Sequence, residues 1–395
     1  MIQYVTISLG HAVVDLYMNT LPSLLPFLIA HFDLSFTLVG ILIAVRAVSG
    51  SFTQPLFGYF VDQGGRGTNL VYSLVWLALL TALLGLVPSY GWLVLLIILG
   101  PLGSALYHPL GSALLRQQST PEQVGSVTSI YIVSGTIGYA IGPIAVVTVV
   151  MKWGLAGTVW LAIPGIIVAI LLVASGVLGN QLGAQKDAPS SVGQVKKRWG
   201  EDWLASRGQV FLLSLAATLR SWAYTGLVNY LPVFYVSQGY SPQYGSYMLT
   251  LYLFSGSIGT LIGGRLSDQW GRKNVTILTL LIAAVTLPLY LVSSGILKVV
   301  FLALTGLTVM GSMSVTTVHA QELMVGNTAL ASGLMMGLVY GLGGIGSAIS
   351  GRLADIYGLP VALGSLAVVL IPAILSMLPV PDPHQEMIRS RAIVQ

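Results

Sequence analysis

Seven positions set an ionisable or hydrogen-bonding side chain in a long apolar context: His11, Asp15, Asn19, Arg46, Tyr107, His108 and Arg220. An ionisable group at membrane depth costs at least about 2.5–3.5 kcal/mol at a helix centre and marks a pathway or relay. His11, Asp15 and Asn19 are spaced four apart, so a helix presents them on one face. Asp15 is the candidate proton carrier, with Arg46 and His108 as coupling partners. Burial and a neighbouring cation act in opposite senses on whether a carboxyl holds its proton, so a conformational step can load and unload it. His108 is a second titrating site or relay, because imidazole changes charge near neutrality. Arg220 has no carboxylate at clear mid-membrane depth nearby in sequence, so an anionic substrate group is its natural partner. The candidate substrate contacts are His11, Asn19, Arg46, Tyr107, Arg220, Trp222, Tyr224 and Asn229. Two arginines against one carboxylate favour an amphipathic anion. A static Asp15–Arg46 ion pair and packing roles for His11 and His108 are the competing assignments.

These residues need spanning helices to hold them, and composition supplies such helices. Hydrophobic residues make up 55% of 395 and charged residues 7%, with mean hydropathy +0.86. A soluble domain carries roughly 25% charge, so the surface must face hydrocarbon. The net charge of +5 comes from residues scattered through short loops, which points away from nucleic acid and toward orientation in a bilayer. With no cysteine, thiolate metal sites, disulfides and cysteine nucleophiles are excluded. Neither a metal nor an organic cofactor is expected.

At about 20 apolar residues per span, twelve spans are predicted, near 4–30, 38–61, 69–88, 92–115, 125–150, 156–178, 208–236, 243–266, 275–294, 299–319, 329–350 and 359–379. The polar stretch 180–207 separates them six and six. The domains are a six-helix half over 1–179, a linker over 180–207, a second six-helix half over 208–380 and a tail over 381–395. An inside N-terminus puts Arg66, Arg116, Lys186, Lys196, Lys197, Arg198, Arg207, Arg265, Arg272, Lys273, Arg389 and Arg391 on the cytoplasmic side. The outer side then holds only Lys152, Lys298 and Arg352. That asymmetry places both termini in the cytoplasm, and the first span can itself direct insertion.

A charged hairpin occurs twice. Gly58, Asp62 and Arg66 follow the second span, and Gly264, Asp268 and Arg272 repeat the spacing after the eighth. Such repeats build two halves around a central site. Gly351-Arg352-Leu353-Ala354-Asp355 echoes the second hairpin at the end of the eleventh span, on the opposite side, as inverted three-helix units would. The hairpins resemble the signature loop of the major facilitator superfamily. The resemblance covers the whole chain and implies an all-α polytopic membrane protein of twelve transmembrane helices in two pseudo-symmetric halves. It also implies that the six hairpin residues latch the cytoplasmic side during alternating access, and that the protein works as a monomer.

In the fifth span, Gly138, Gly142 and Pro143 resemble the superfamily's antiporter motif; small residues here allow close helix approach, and the proline bends the span. His11-x-x-x-Asp15, Leu21-Pro22-Ser23-Leu24-Leu25-Pro26, Gln54-Pro55-Leu56-Phe57-Gly58 and Tyr107-His108-Pro109 together resemble the fosmidomycin resistance protein family. That resemblance implies a proton-driven exporter of a drug-like compound in a bacterial inner membrane, powered by the proton gradient. Proton-coupled uptake of an organic anion or sugar uses the same acid and base and is the alternative. A non-transporting receptor or scaffold is more remote, having little use for buried Asp15, Arg46 and Arg220. No His-Glu-x-x-His, Gly-x-x-x-x-Gly-Lys-Ser/Thr or Gly-x-Ser-x-Gly occurs, so an enzyme is not expected.

Overall fold

The computed structural model describes residues 2–62, 64, 66–120, 123–180, 202–324 and 328–382. The side chain of Asp62, residues 181–201 of the expected linker and the tail from 383 lie outside the described residues. What is described is helical. The first span is two helices, α1 (Ile2–Met18) and α2 (Thr20–Phe32), broken at Asn19. Four more follow: α3 (Phe36–Asp62), α4 (Gly67–Leu83), α5 (Tyr90–Gln118) and α6 (Val124–Trp153). The sixth span is a 3-10 turn, Leu155–Leu161, running into α7 (Ala162–Ala174).

The later spans begin with α8 (Asp202–Ser237), α9 (Pro242–Trp270) and α10 (Arg272–Val292). The tenth span is α11 (Gly295–Gly311) followed by α12 (Met313–Leu323). The eleventh is α13 (Thr328–Gly333), a π-helical stretch Leu334–Leu338 and α14 (Val339–Tyr357); α15 (Leu359–Met377) is the last. Ten of these segments are long and apolar enough to cross a membrane. The shorter apolar Gly67–Leu83 and the 36-residue α8 bring the described spans to twelve. Large apolar side chains such as Leu261, Val368 and Ile170 stand exposed on outer faces, as lipid-facing surface requires.

The chain divides into two compact units, Met1–Lys186 with Asn229–Thr250, and Asp187–Val228 with Leu251–Gln395. The break after Lys186 falls within the expected linker, and the hairpin joining α8 to α9 groups with the first unit. Within that unit Tyr230 donates to the Phe36 carbonyl (3.1 Å) and Thr250 to the Ala140 carbonyl (2.9 Å). In the second unit, glycines carry the close contact of α9 with α11. A Cβ on Gly259 or Gly263 would lie 1.9 or 1.8 Å from the carbonyl oxygens of Leu307 and Gly311. Only glycine lets backbones approach so closely.

Candidate functional site

The site in the first unit begins with what α6 lacks. A Cβ on Gly138 would lie 1.8 Å from the Ala12 carbonyl oxygen, and one on Gly142 2.8 Å from that of Leu16. Bare backbone on α6 therefore packs against bare backbone on α1. One turn earlier, a Cβ on Gly135 would lie 2.4 Å from His11 Cε1 and 2.5 Å from Asp15 Oδ2. The room left by Gly135 is filled by the imidazole and the carboxyl group. The antiporter-like Gly138 and Gly142 thus hold α1 at the distance where Gly135 can accommodate Asp15. Pro143 lies inside the same helix.

Asp15 lies between two imidazoles. His11 Nε2 is 3.4 Å from Asp15 Oδ2, and His108 Nε2, carried by α5, is 3.4 Å from Oδ1. The two rings meet edge to face with centroids 4.9 Å apart. Side-chain exposure is 9% for His11, 19% for Asp15 and 26% for His108, so the carboxyl group is sheltered but reachable. His11 Nδ1 is 2.6 Å from the Tyr131 carbonyl oxygen. A carbonyl only accepts, so Nδ1 carries the hydrogen and neutral His11 presents the bare lone pair of Nε2 to the carboxyl oxygen. Two acceptors facing each other need a proton or a cation between them. Tyr131 also stacks on His11 at 3.9 Å and donates through its hydroxyl to the His108 carbonyl (3.3 Å), bracing both histidine-bearing helices.

The other first-unit residues expected at the site divide by role. Tyr107 is fully buried and donates to the Ile7 carbonyl (2.9 Å), pinning α5 to α1 beside His108. Asn19, at the break between α1 and α2, donates to the Tyr139 carbonyl (2.8 Å) and ties that break to α6. The ion-pair partners of Asp15 among the described residues are the two histidines. Arg46 instead lines a cavity of about 30 Å³ with Tyr17, Met18, Leu77, Leu96 and Pro101. Asn229 belongs to the first unit by the grouping above and is buried.

In the second unit Arg220 is 2% exposed, and its Nε and Nη1 have no hydrogen-bond partner among the described residues. A buried guanidinium is costly unless its donors are met, and an oxyanion is a group that suits its fork. Trp222, expected as a substrate contact, is held in packing. Its Nε1 donates to Ser350 Oγ (2.9 Å), and its ring covers Gly346, where a Cβ would lie 2.3 Å from Trp222 Cγ. The neighbouring Gly343 receives Ser221 in the same way, so the seam of α14 with α8 runs through Gly343 and Gly346. Tyr224 packs near Tyr252 and Tyr340, with centroids 6.5 and 6.4 Å away.

The second charged hairpin is intact. Arg272 Nη1 bonds Asp268 Oδ1 at 2.5 Å and Ser267 Oγ at 2.6 Å, while Nε reaches Glu322 Oε1 on α12 at 3.2 Å. Gly271, at φ +91°, makes the turn that lets α10 start at Arg272. In the first hairpin Arg66 is exposed at the start of α4, and Gly67 N–H bonds the Asn180 carbonyl at 2.9 Å. Neither motif glycine at the helix ends makes a close approach. A Cβ on Gly58 would meet nothing within 4 Å, and one on Gly264 only Ser314 Oγ at 3.6 Å.

Residues 7–344 and 239–392 match the sequence model of the Major Facilitator Superfamily. The chain belongs to this superfamily. It is 30% identical over 386 residues to the MFS-type transporter YfnC of Bacillus subtilis (strain 168), covering 95% of this chain and 91% of that one. It is 28% identical over 358 residues to the fosmidomycin resistance protein of Escherichia coli (strain K12), covering 88% and 85%. Among solved structures, the nucleoside transporter NupG superposes with a TM-score of 0.81 at 15% identity, over 96% of this chain and all of that one. The twelve-helix architecture expected from the sequence is that of the superfamily, and the chain is a multi-pass membrane protein with the fold of transporters.

Three residues important to this superfamily member's sites carried only a weak signal in its sequence. Tyr131 and Gly135 lie at four-residue spacing on the α6 face that continues through Gly138 and Gly142, so helical periodicity alone could have joined them to the motif. Glu322 stands at the end of the tenth span, and nothing in its sequence neighbourhood singles it out. Its pairing with Arg272 arises only because α12 passes the start of α10.

Proposed function

We propose that this superfamily member is a secondary transporter that exports a small organic, drug-like compound in exchange for protons. Asp15 carries the proton, with His108 and His11 as its partners. The observation that carries the reading is the carboxyl group held 3.4 Å from two imidazole nitrogens, one of which turns a lone pair toward it. A proton bridges such acceptors in one conformation and is released when the groups separate, so its affinity is tied to the transport cycle. Export, rather than uptake, is favoured by the similarity to a fosmidomycin resistance protein and by the glycine seam that places α6 on Asp15.

The cargo we favour is anionic, of the phosphonate type. The unpaired Nε and Nη1 of buried Arg220 support this, since an oxyanion satisfies a guanidinium fork. The excess of Lys and Arg in one set of loops supports cytoplasmic termini in a bacterial inner membrane. The test is transport into proteoliposomes with an imposed pH gradient, using fosmidomycin and related phosphonates beside cationic drugs and sugars. Gradient-driven phosphonate movement with counter-flow of protons is expected. Movement of substrate and proton in the same direction replaces export with symport, and absence of any proton-linked flux across the panel removes the coupling assignment.

A further inference from the structure

His11, Asp15 and His108 offer three metal-competent donor atoms, all within 4.8 Å of one another. A zinc-class dication binds imidazole nitrogen at about 2.0–2.1 Å and carboxylate oxygen at about 2.0–2.2 Å, which makes tetrahedral donor–donor edges about 3.4 Å long. The two imidazole–carboxylate separations, from His11 to Oδ2 and from His108 to Oδ1, are 3.4 Å. A single carboxylate oxygen serving both imidazoles needs a small turn of His108 toward it, and His108 is the most exposed of the three. His11 is already oriented as a ligand. Its Nδ1–H is committed to the Tyr131 carbonyl, which fixes the tautomer whose Nε2 can donate to a metal. Gly135 leaves the free space into which His11 and Asp15 turn, so the two groups converge without a side chain from α6 between them.

We propose that this cluster is a binding site for a transition-metal dication of the zinc class, with two imidazole ligands and one carboxylate from α1 and α5. Two nitrogen donors and one carboxylate suit zinc, cobalt or nickel and discriminate against magnesium, which prefers an all-oxygen octahedron. Three protein ligands leave a fourth position for water, so the ion is exchangeable rather than structural. Where the proposed proton exchange at Asp15 holds, the metal is also an inhibitor. It occupies the lone pairs that the proton needs and ties α1 to α5, so it stops the cycle in one conformation.

The experiment uses the purified full-length chain without a polyhistidine tag, with no substrate and no gradient, so binding is read independently of transport. Zn²⁺ is titrated by calorimetry, and Co²⁺ is followed by its visible absorption, which reports coordination geometry. One tight Zn²⁺ per chain is expected, unaffected by excess Mg²⁺. His108→Gln and Asp15→Asn are each expected to weaken it by at least about 100-fold, the upper end of what loss of a ligand's supporting contact already does. His31→Gln, at an exposed position on α2, is expected to leave binding unchanged. Melting curves establish that the variants remain folded. Zn²⁺ binding equally tight in His108→Gln and Asp15→Asn, an adventitious ion only, overturns the site, as does no saturable binding to the wild type. Tight binding without inhibition of proton flux retains the site and removes the proton assignment.

Discussion

Gly135→Ala tests whether the α1–α6 seam serves Asp15 or merely packs. The added methyl would sit 2.4 Å from His11 Cε1 and 2.5 Å from Asp15 Oδ2. Ordinary contact begins near 3.5 Å, so both side chains must retreat by about 1 Å. The overpacking costs about 1–3 kcal/mol, against about 0.5–1 kcal/mol gained by replacing glycine in a helix. A net destabilisation of about 1 kcal/mol is tolerable, so the protein should still insert and fold. The site should not tolerate the shift, because a displacement of about 1 Å separates the carboxyl group from its imidazoles. Loss of proton-coupled flux by at least about tenfold is expected in proteoliposomes, with a modest drop in melting temperature. Gly50→Ala is the control, since its methyl would meet only Pro101 Cβ at 3.7 Å in the same unit. Gly138→Ala is the opposite extreme: a Cβ 1.8 Å from a backbone oxygen forces the helices apart and should prevent accumulation of folded protein. Wild-type coupling in Gly135→Ala, at unchanged stability, would refute the account of the seam.

Three further outcomes follow from the same geometry. Asp15→Asn should abolish proton-driven transport while leaving folding largely intact, because the amide imitates the protonated acid; gradient-driven flux at the wild-type rate would remove Asp15 from coupling. Arg220→Ala should weaken binding of a phosphonate by at least about tenfold in equilibrium assays, as loss of a charge-assisted bond requires; a cation preference untouched by the substitution would overturn the anionic cargo. In the hairpin, Glu322→Gln should destabilise more than Asp268→Asn. Asp268 is 62% exposed in its side chain and Glu322 24%, so water screens the first pair and leaves it about 0–1 kcal/mol, whereas the second should contribute about 1–2 kcal/mol. Equal melting temperatures for the two variants would assign Arg272 no preference between its carboxylates.

The architecture was legible because it rests on local, additive signals. Apolar runs of spanning length, a charge-poor composition and a hairpin repeated at fixed spacing each survive without knowledge of which helix packs on which. The chain's superfamily and its twelve spans are read from these alone. Helical spacing likewise put His11, Asp15 and Asn19 on one face before any contact was known.

Partnership was not legible, because it depends on which helices touch and at what depth. The sequence offered Arg46 or His108 to Asp15 on equal terms; the structure gives Asp15 two imidazoles and sets Arg46 against a separate cavity. Trp222, a candidate substrate contact by sequence, has its indole N–H bonded to Ser350 and its ring over Gly346, neighbours that no sequence pattern joins to it. Glu322 gained meaning only from the passage of α12 beside Arg272. Composition and periodicity determine that polar groups enter the membrane and on which helix face they stand. Only helix packing, set here by missing side chains at Gly135, Gly138 and Gly142, decides which of those groups come within reach of one another, since short-range contacts change over a single ångström while sequence patterns do not.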